Sequence, residues 1–472
     1  MLGRATIFLM ISQGFLLISG YSINVGLARI LGPEGFGTFG VVMSLLLVVQ
    51  LFVITGIPIA VQKFVAENMD ASRSLFRKTL PWHLLYSLVV WAVFWFCAPF
   101  MAVWLKDAGL TFYLHVASVD ILFYGLYKYF LSMQNGLHQF GRQTVSGIAY
   151  ALAKPAATFT LILMGYGVTG AIIGNTLGSI GGLALGMALL RFPDLKSKLE
   201  DIPFFKFAFT NVFYYVGLQL LFSIDIWFVK YYLSGEAVGQ YVSASSVAKI
   251  PYFLSLAISS ALLPAISRAT KERDEKRVRD IVRISLRYWL ILLFAMIVVV
   301  GSTSSSLVVL LFGERYLAGG PVLAVLFTAI AFLTFAAVMN TILISRNQLG
   351  SCLVVMGSLI ILHITANMLL VPRYGGIGAA SATLLVAIFS IACSGFLLVR
   401  NTRVALPAFS AVKTIVAACL VYIITRHLPS LDLYLFVKCF LLTFSFVLIL
   451  FILRELDFAD LHRLKMILAP DR

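Results

Sequence analysis

Leu31-Gly32-Pro33-Glu34-Gly35-Phe36-Gly37-Thr38-Phe39 is a short turn-forming stretch between two long apolar runs. Its pattern, L-x-x-E-x-x-G-x-aromatic, returns at Leu233-Ser234-Gly235-Glu236-Ala237-Val238-Gly239-Gln240-Tyr241, an offset of 202 positions (233 − 31). Glycine reaches positive φ and proline cannot continue a helix, so both stretches suit a break between helices. Each copy follows a first apolar segment and precedes a second, which predicts a duplicated membrane unit. Further echoes agree. Gln139-Phe140-Gly141 opens a fifth apolar span and Gln348-Leu349-Gly350 an eleventh. Gly165-Tyr166-Gly167-Val168-Thr169-Gly170-Ala171 is answered by Tyr374-Gly375-Gly376-Ile377-Gly378-Ala379, and Pro58 late in span two by Pro264 late in span eight.

Working outward, the chain is 61% hydrophobic and only 12% charged, with a mean hydropathy of +0.97. Soluble domains average about 45–50% apolar and about 25% charged residues. So much apolar surface cannot hide in one aqueous core, and the chain reads as an all-α integral membrane protein. Each apolar run lasts around 20 residues, whereas barrel strands alternate over roughly 10. Fourteen spans are expected, near 5–28, 38–61, 80–104, 110–134, 143–165, 168–190, 204–231, 238–266, 286–312, 321–345, 350–371, 376–399, 405–426 and 433–453. The first run is too long for a signal segment, lacks an A-x-A exit and is expected to remain as a helix.

The duplication divides the chain into a six-helix lobe over 1–200, a second over 201–403, two added spans within 404–454 and an amphipathic tail over 455–472. An even number of spans separates the copies, so both insert the same way up, related by a pseudo-two-fold along the membrane normal. The tail places Leu456, Leu464, Ile467 and Leu468 near one side. The five cysteines sit in apolar runs without metal-ligand spacing and read as small apolar residues.

With the N-terminus inside, 26 Lys and Arg fall in cytoplasmic segments and 6 in outer ones, which orients both termini toward the cytoplasm of a cell inner membrane. The net charge of +16 is then mostly this bias plus attraction to anionic lipid head groups, and nucleic acid is not the implied partner. The basic run from Arg268 to Arg287 reads as a solvated extension of span eight.

An ionisable residue at the bilayer centre costs at least about 2.5–3.5 kcal/mol, so it should face a cavity or a partner. Lys128, Lys154 and Lys249 step in depth from the inner leaflet to the middle, and Arg29 and Lys230 continue toward the outer face. Such a ladder of cations suits a polyanion such as a diphosphate. Four members have an alternative, since Lys154 can pair with Asp120 and Arg29, Lys128 and Lys230 can snorkel to an interface, whereas Lys249, mid-span, has no interface near it. Asp120 and Asp225 are the carboxylates well inside spans, suited either to binding Na⁺ or H⁺ or to structural pairing. No metal cluster or other cofactor is indicated.

Ala28-Arg29-Ile30-Leu31-Gly32-Pro33-Glu34-Gly35-Phe36-Gly37, Gly56-Ile57-Pro58-Ile59-Ala60 and Phe64-Val65-Ala66-Glu67 resemble the polysaccharide-biosynthesis flippases of the multidrug/oligosaccharidyl-lipid/polysaccharide exporter superfamily. The Gly-Ile-Pro and Val-Ala-Glu segments also resemble its sporulation and lipid II branch. The resemblance implies a V-shaped pair of six-helix lobes around a central cavity, working by alternating access and able to act as a monomer. It implies a polyprenyl-diphosphate-linked oligosaccharide cargo (an O-antigen, capsule or exopolysaccharide unit) passed from inner to outer leaflet. Coupling to H⁺, Na⁺ or the membrane potential, and hand-over to the glycan polymerase machinery, are implied with it. A cation-coupled drug exporter of the same fold is the alternative. A membrane glycosyltransferase or polymerase is the competing class; it needs acid/base or metal-binding carboxylates at an accessible face. The chain has no D-x-D, and its outer carboxylates (Glu34, Asp107, Glu236, Glu314, Asp432) are scattered, so it is read as a non-enzyme.

Overall fold

The computed structural model describes residues 2–193, 204, 208, 212–346, 348–402, 408–427, 435–457 and 460; side chains are described from residue 11 onward, except at 257, 260, 261, 264, 402, 426 and 427. The described residues are helical and include no strand. Contacts gather them into two compact units, Met1–Ser243 and Ala244–Arg472. The repeat boundary expected at 200/201, with Asn211, Lys196, Lys198, Lys206 and Arg403, lies outside the described residues, as does the tail from 461 onward. Among the described residues, nine helices are long and apolar enough to cross a membrane, up to ten if one bent pair forms a span. The protein is a multi-pass membrane protein.

The first unit holds α1 (Leu2–Ile54), α2 (Ile57–Glu67), α3 (Ser72–Trp104), α4 (Leu110–Gly136), α5 (Phe140–Leu161), α6 (Gly167–Leu189), α7 (Val212–Leu221), α8 (Ile224–Tyr232) and most of α9 (Gly235–Ala248). A hydrocarbon core about 30 Å thick needs only about 20 helical residues. Three continuous apolar stretches run for 57, 50 and 53 residues, and each contains a glycine with non-helical angles: Gly32, Gly165 and Gly375.

The two echoed turns resemble each other and also touch. A Cβ on Gly37 would sit 2.7 Å from the Gly239 nitrogen, and one on Gly239 would lie 2.5 Å from the Pro33 carbonyl carbon. Corresponding glycines of the two echoed stretches therefore face each other backbone to backbone, an approach no other residue permits. The second echo matches in dihedral angles, with Gly167 at φ 52, ψ −133 and Gly375 at φ 59, ψ −137, 208 positions apart (375 − 167).

Three expected spans are broken instead of continuous. The span at 38–61 parts at Thr55–Gly56, just ahead of Pro58, and the span at 238–266 parts at Lys249, just ahead of Pro251. Proline is tolerated at the first positions of a helix, where its missing N–H has no intrahelical partner to lose, so the break falls immediately before it. Pro264 lies within α10 (Ile250–Lys271), so Pro251 is the proline that starts a helix in this region. The span at 204–231 becomes α7 and α8, bent by 41° across Phe222–Ser223. There Gln219 donates to the Ser223 hydroxyl, and Asp225 occupies the first turn of α8, where a carboxylate complements the helix dipole.

The second unit continues with α10, α11 (Glu275–Phe312), α12 (Gly319–Ser345), α13 (Leu349–Thr402), α14 (Ala408–His427) and α15 (Leu435–Ile452). α14 and α15 pack on α11 through Val298, Ala417, Val421, Leu442, Phe446 and Leu450. Below this seam the chain after α15 is tied down by charge. Arg287 donates to Glu455 at 2.9 Å and Asp460 at 3.1 Å, Lys413 lies 3.6 Å from Glu455, and Tyr288 donates to Asp460 at 2.6 Å.

Candidate functional site

The site is built on α4, α5 and α6, with one residue from α1. Glycines recur along α6 at every fourth position from Gly170 to Gly186, a small-residue stripe that lets helices approach closely in lipid. Gly178 shows what this does for the site. A Cβ there would lie 2.5 Å from the Lys154 Cβ and 2.8 Å from its Cα, so only glycine lets α5 seat Lys154 so close to α6. α5 runs through Pro155 as one helix.

Lys128 and Lys154 are both half-buried. The Lys128 ammonium lies 5.2 Å from the Tyr124 ring centre and 5.6 Å from that of Tyr127, and the Lys154 ammonium 5.7 Å from Tyr150. The three rings form one cluster, Tyr127 stacked on Tyr150 at 5.0 Å and Tyr124 within 6.0 Å of both. Among the described residues neither ammonium has a carboxylate within ion-pair distance. The aromatic faces supply partial compensation worth about 0.5–2 kcal/mol per cation, and leave the N–H donors available to an anion.

Asp120 lies one turn from Tyr124, 1% exposed. Its Oδ2 accepts from Gln50 Nε2 at 2.9 Å and from Asn175 Nδ2 at 2.6 Å, while Oδ1 and the Asn175 Oδ1 have no hydrogen-bond partner among the described residues. Lys154 feels the Asp120 charge without touching it, so the expected pairing of the two is an electrostatic proximity and not a closed ion pair.

The remaining expected residues lie elsewhere. Lys230 is bonded to Asp107 at 2.7 Å, with 13% of its side chain exposed, and so already has its counter-charge. Asp225 is buried and accepts from the Tyr241 hydroxyl at 2.6 Å. Arg29 is exposed, three residues before the Gly32 break. Lys249 belongs to the second unit, at the junction of α9 and α10 instead of mid-helix. Asn175 and the tyrosines were not singled out from the sequence. The signal for two of them was present: Tyr124 and Lys128, like Tyr150 and Lys154, are four residues apart, the spacing that stacks side chains along a helix face. The second unit carries an apolar cleft of about 270 Å³ lined by Leu290, Leu293, Phe294, Phe332, Phe335 and Met339 among others, which matches hydrocarbon.

The family model described as polysaccharide biosynthesis protein matches residues 2–270, more than half of the chain. The chain belongs to that family. A curated relative is the probable low-salt glycan biosynthesis flippase Agl15 of Haloferax volcanii, 21% identical over 366 residues, which cover 76% of this chain and 75% of the relative. Among solved structures, the lipid II flippase MurJ in an inward closed conformation superposes with a TM-score of 0.76 at 16% identity, covering 95% of this chain and 99% of MurJ. An inward-facing multidrug resistance MATE family transporter of the MOP superfamily gives 0.66 at 12% identity, covering 84% of this chain and 99% of the transporter. This member of the polysaccharide biosynthesis family therefore has the fold those transporters share.

Proposed function

We propose that the protein is a flippase that carries a polyprenyl-diphosphate-linked oligosaccharide from the inner to the outer leaflet of the cytoplasmic membrane by alternating access. Lys128 and Lys154 carry this reading: two half-buried ammonium groups on aromatic faces have, among the described residues, no carboxylate contact and no protein acceptor for their donors. A diphosphate supplies the missing acceptors, because charge-assisted N–H···O bonds are roughly twice as strong as neutral ones. The half-buried Tyr124 ring and hydroxyl beside Lys128 suit the first sugar. Lys249 is retained as a cargo contact of the second unit. Lys230, paired with Asp107, is assigned to anchoring.

Asp120 is the proposed coupling site, a buried carboxylate whose Oδ1 has no hydrogen bond of normal geometry among the described residues. The membrane potential can add to it, since moving one charge through 100 mV is worth about 2.3 kcal/mol. Relationship to Agl15, named a probable glycan biosynthesis flippase, supports the cargo class. The MurJ-like fold makes a lipid II-type cargo the second reading, one that uses the same diphosphate chemistry. The test is flipping of fluorescent polyprenyl-diphosphate oligosaccharide in proteoliposomes. Lys128→Ala and Lys154→Ala are expected to slow it at least about tenfold each, the loss of roughly 1.5–3 kcal/mol from one charge-assisted bond. Wild-type rates in both variants would overturn the assignment of the site.

A further inference from the structure

We infer that Asp120 and Asn175 form a proton site whose occupancy Lys154 ties to capture of the anionic head group, so that diphosphate binding takes up a proton. This rests on the diphosphate reading above and deepens it. The Asn175 amide nitrogen donates to Asp120 Oδ2 at 2.6 Å. That contact leaves Asp120 Oδ1 and Asn175 Oδ1, on side chains 1% and 3% exposed, without a hydrogen bond of normal geometry among the described residues, the Ser179 hydroxyl being the neutral donor beside the Asp120 carboxylate. Two lone-pair oxygens cannot satisfy each other. One proton on Asp120 Oδ1 turns it into a donor, and the orphaned amide oxygen is its matching acceptor. A carboxylic acid and a carboxamide are complementary in this way, N–H to one oxygen and O–H from the other.

The charges around Asp120 decide when the proton is needed. From α5 come Lys154, which acts on Asp120 across a gap, and the Tyr150 hydroxyl group. Its own helix adds Tyr124, Tyr127 and Lys128, whose ammonium lies over the tyrosine rings. From α3, His83 bonds the Gly125 carbonyl on α4. Among the described residues, the groups of α1 and α6 that act on Asp120 are neutral: Gln50, Asn175 and Ser179. Lys154 is thus the cation acting on the Asp120 carboxylate. When a diphosphate engages that ammonium, its negative charge offsets the compensation Asp120 had, and a buried carboxylate left without a counter-charge is strongly disfavoured. A proton from bulk water, passing to Oδ1, restores neutrality. Linkage makes the effect reciprocal: protonation of Asp120 tightens head-group binding by the same factor.

The experiment is isothermal titration calorimetry of the full chain in nanodiscs with P1,P2-dimethyl diphosphate, a diester that stays ionised at neutral pH. Repeating the titration in buffers of different ionisation enthalpy gives the protons exchanged per ligand. The wild type is expected to take up a proton number approaching about one. Asp120→Asn should still bind the diester and take up essentially none. Asn175→Ser keeps the carboxylate but removes the amide oxygen, and should lower the number; it carries the test if Asp120→Asn does not fold. Equal uptake by the wild type and Asp120→Asn, or binding without uptake in the wild type, would overturn the proton site while leaving the diphosphate reading in place. Absence of any binding that depends on Lys128 and Lys154 would instead overturn both.

Discussion

Gly239→Ala tests the contact between the two echoed turns. The added Cβ would lie 2.5 Å from the Pro33 carbonyl carbon and 2.8 Å from its Cα, and would overlap the carbonyl oxygen. Carbon–carbon contacts settle near 3.5–4.0 Å, so the turns must part by about 1 Å. No rotamer can relieve a clash with backbone, and overpacking of this kind costs about 1–3 kcal/mol. Two effects now compete. Alanine also favours the α9 helix over glycine by about 0.8–1 kcal/mol, so global stability should change little while the contact itself weakens. A cysteine pair reads the contact directly: a Cβ at position 235 lies 3.1 Å from the Glu34 Cγ, which is where a sulfur would sit. In a background lacking the five native cysteines, Glu34→Cys with Gly235→Cys should oxidise readily. Adding Gly239→Ala should slow cross-linking roughly tenfold, the equivalent of about 1.4 kcal/mol, with the melting temperature nearly unchanged. Cross-linking at the unperturbed rate would show that the two turns do not depend on glycine for their approach, and the reasoning would fail.

Lys230→Met should reduce flipping far less than Lys154→Met in the proteoliposome assay, because Lys230 already has Asp107 as its partner. Gly375→Ala should lower thermal stability by about 1–3 kcal/mol, since φ 59 with ψ −137 is open almost only to glycine; a calorimetric or fluorescence melt measures it. Arg287→Ala should destabilise the second unit by about 1–3 kcal/mol, because it leaves Glu455 to Lys413 at 3.6 Å and Asp460 to the Tyr288 hydroxyl, both carboxylates being 4% exposed; limited proteolysis beyond α15 should accelerate in parallel. The same cluster fixes a pH dependence. Burial raises the Asp460 carboxyl, but hydrogen bonds from Tyr288 and Arg287 and the Arg287 charge outweigh burial and hold it below the usual carboxylate range. A lowered folded-state value stabilises above the unfolded one, near about 3.9, and that stability is lost as pH falls through the folded value. Proteolysis beyond α15 should therefore rise only in acid, and Asp460→Asn should remove the dependence.

Much of the architecture was legible in the chain itself. Hydropathy determined that the protein is a helical membrane protein, because apolar runs of span length have no other stable solution in lipid. Period and turn chemistry pointed to a duplication, and Gly167 and Gly375, 208 positions apart, adopt matching angles at positive φ, where glycine is favoured. Lys128, Lys154 and Asp120 stand out in the sequence too, because a charge within an apolar run is conspicuous. The tertiary structure alone decided which of those charges remain open. Lys230 and Lys154 are both lysines within apolar runs, yet one closes on Asp107, 123 positions away, and the other lies over Tyr150 with no carboxylate in contact among the described residues. The partners of Asp120 come from α1 and α6, 70 and 55 positions distant, at separations no local pattern encodes. Local sequence specifies whether a helix forms and where it breaks; which side chains meet depends on how helices pack, and here the glycine stripe of α6 sets that packing.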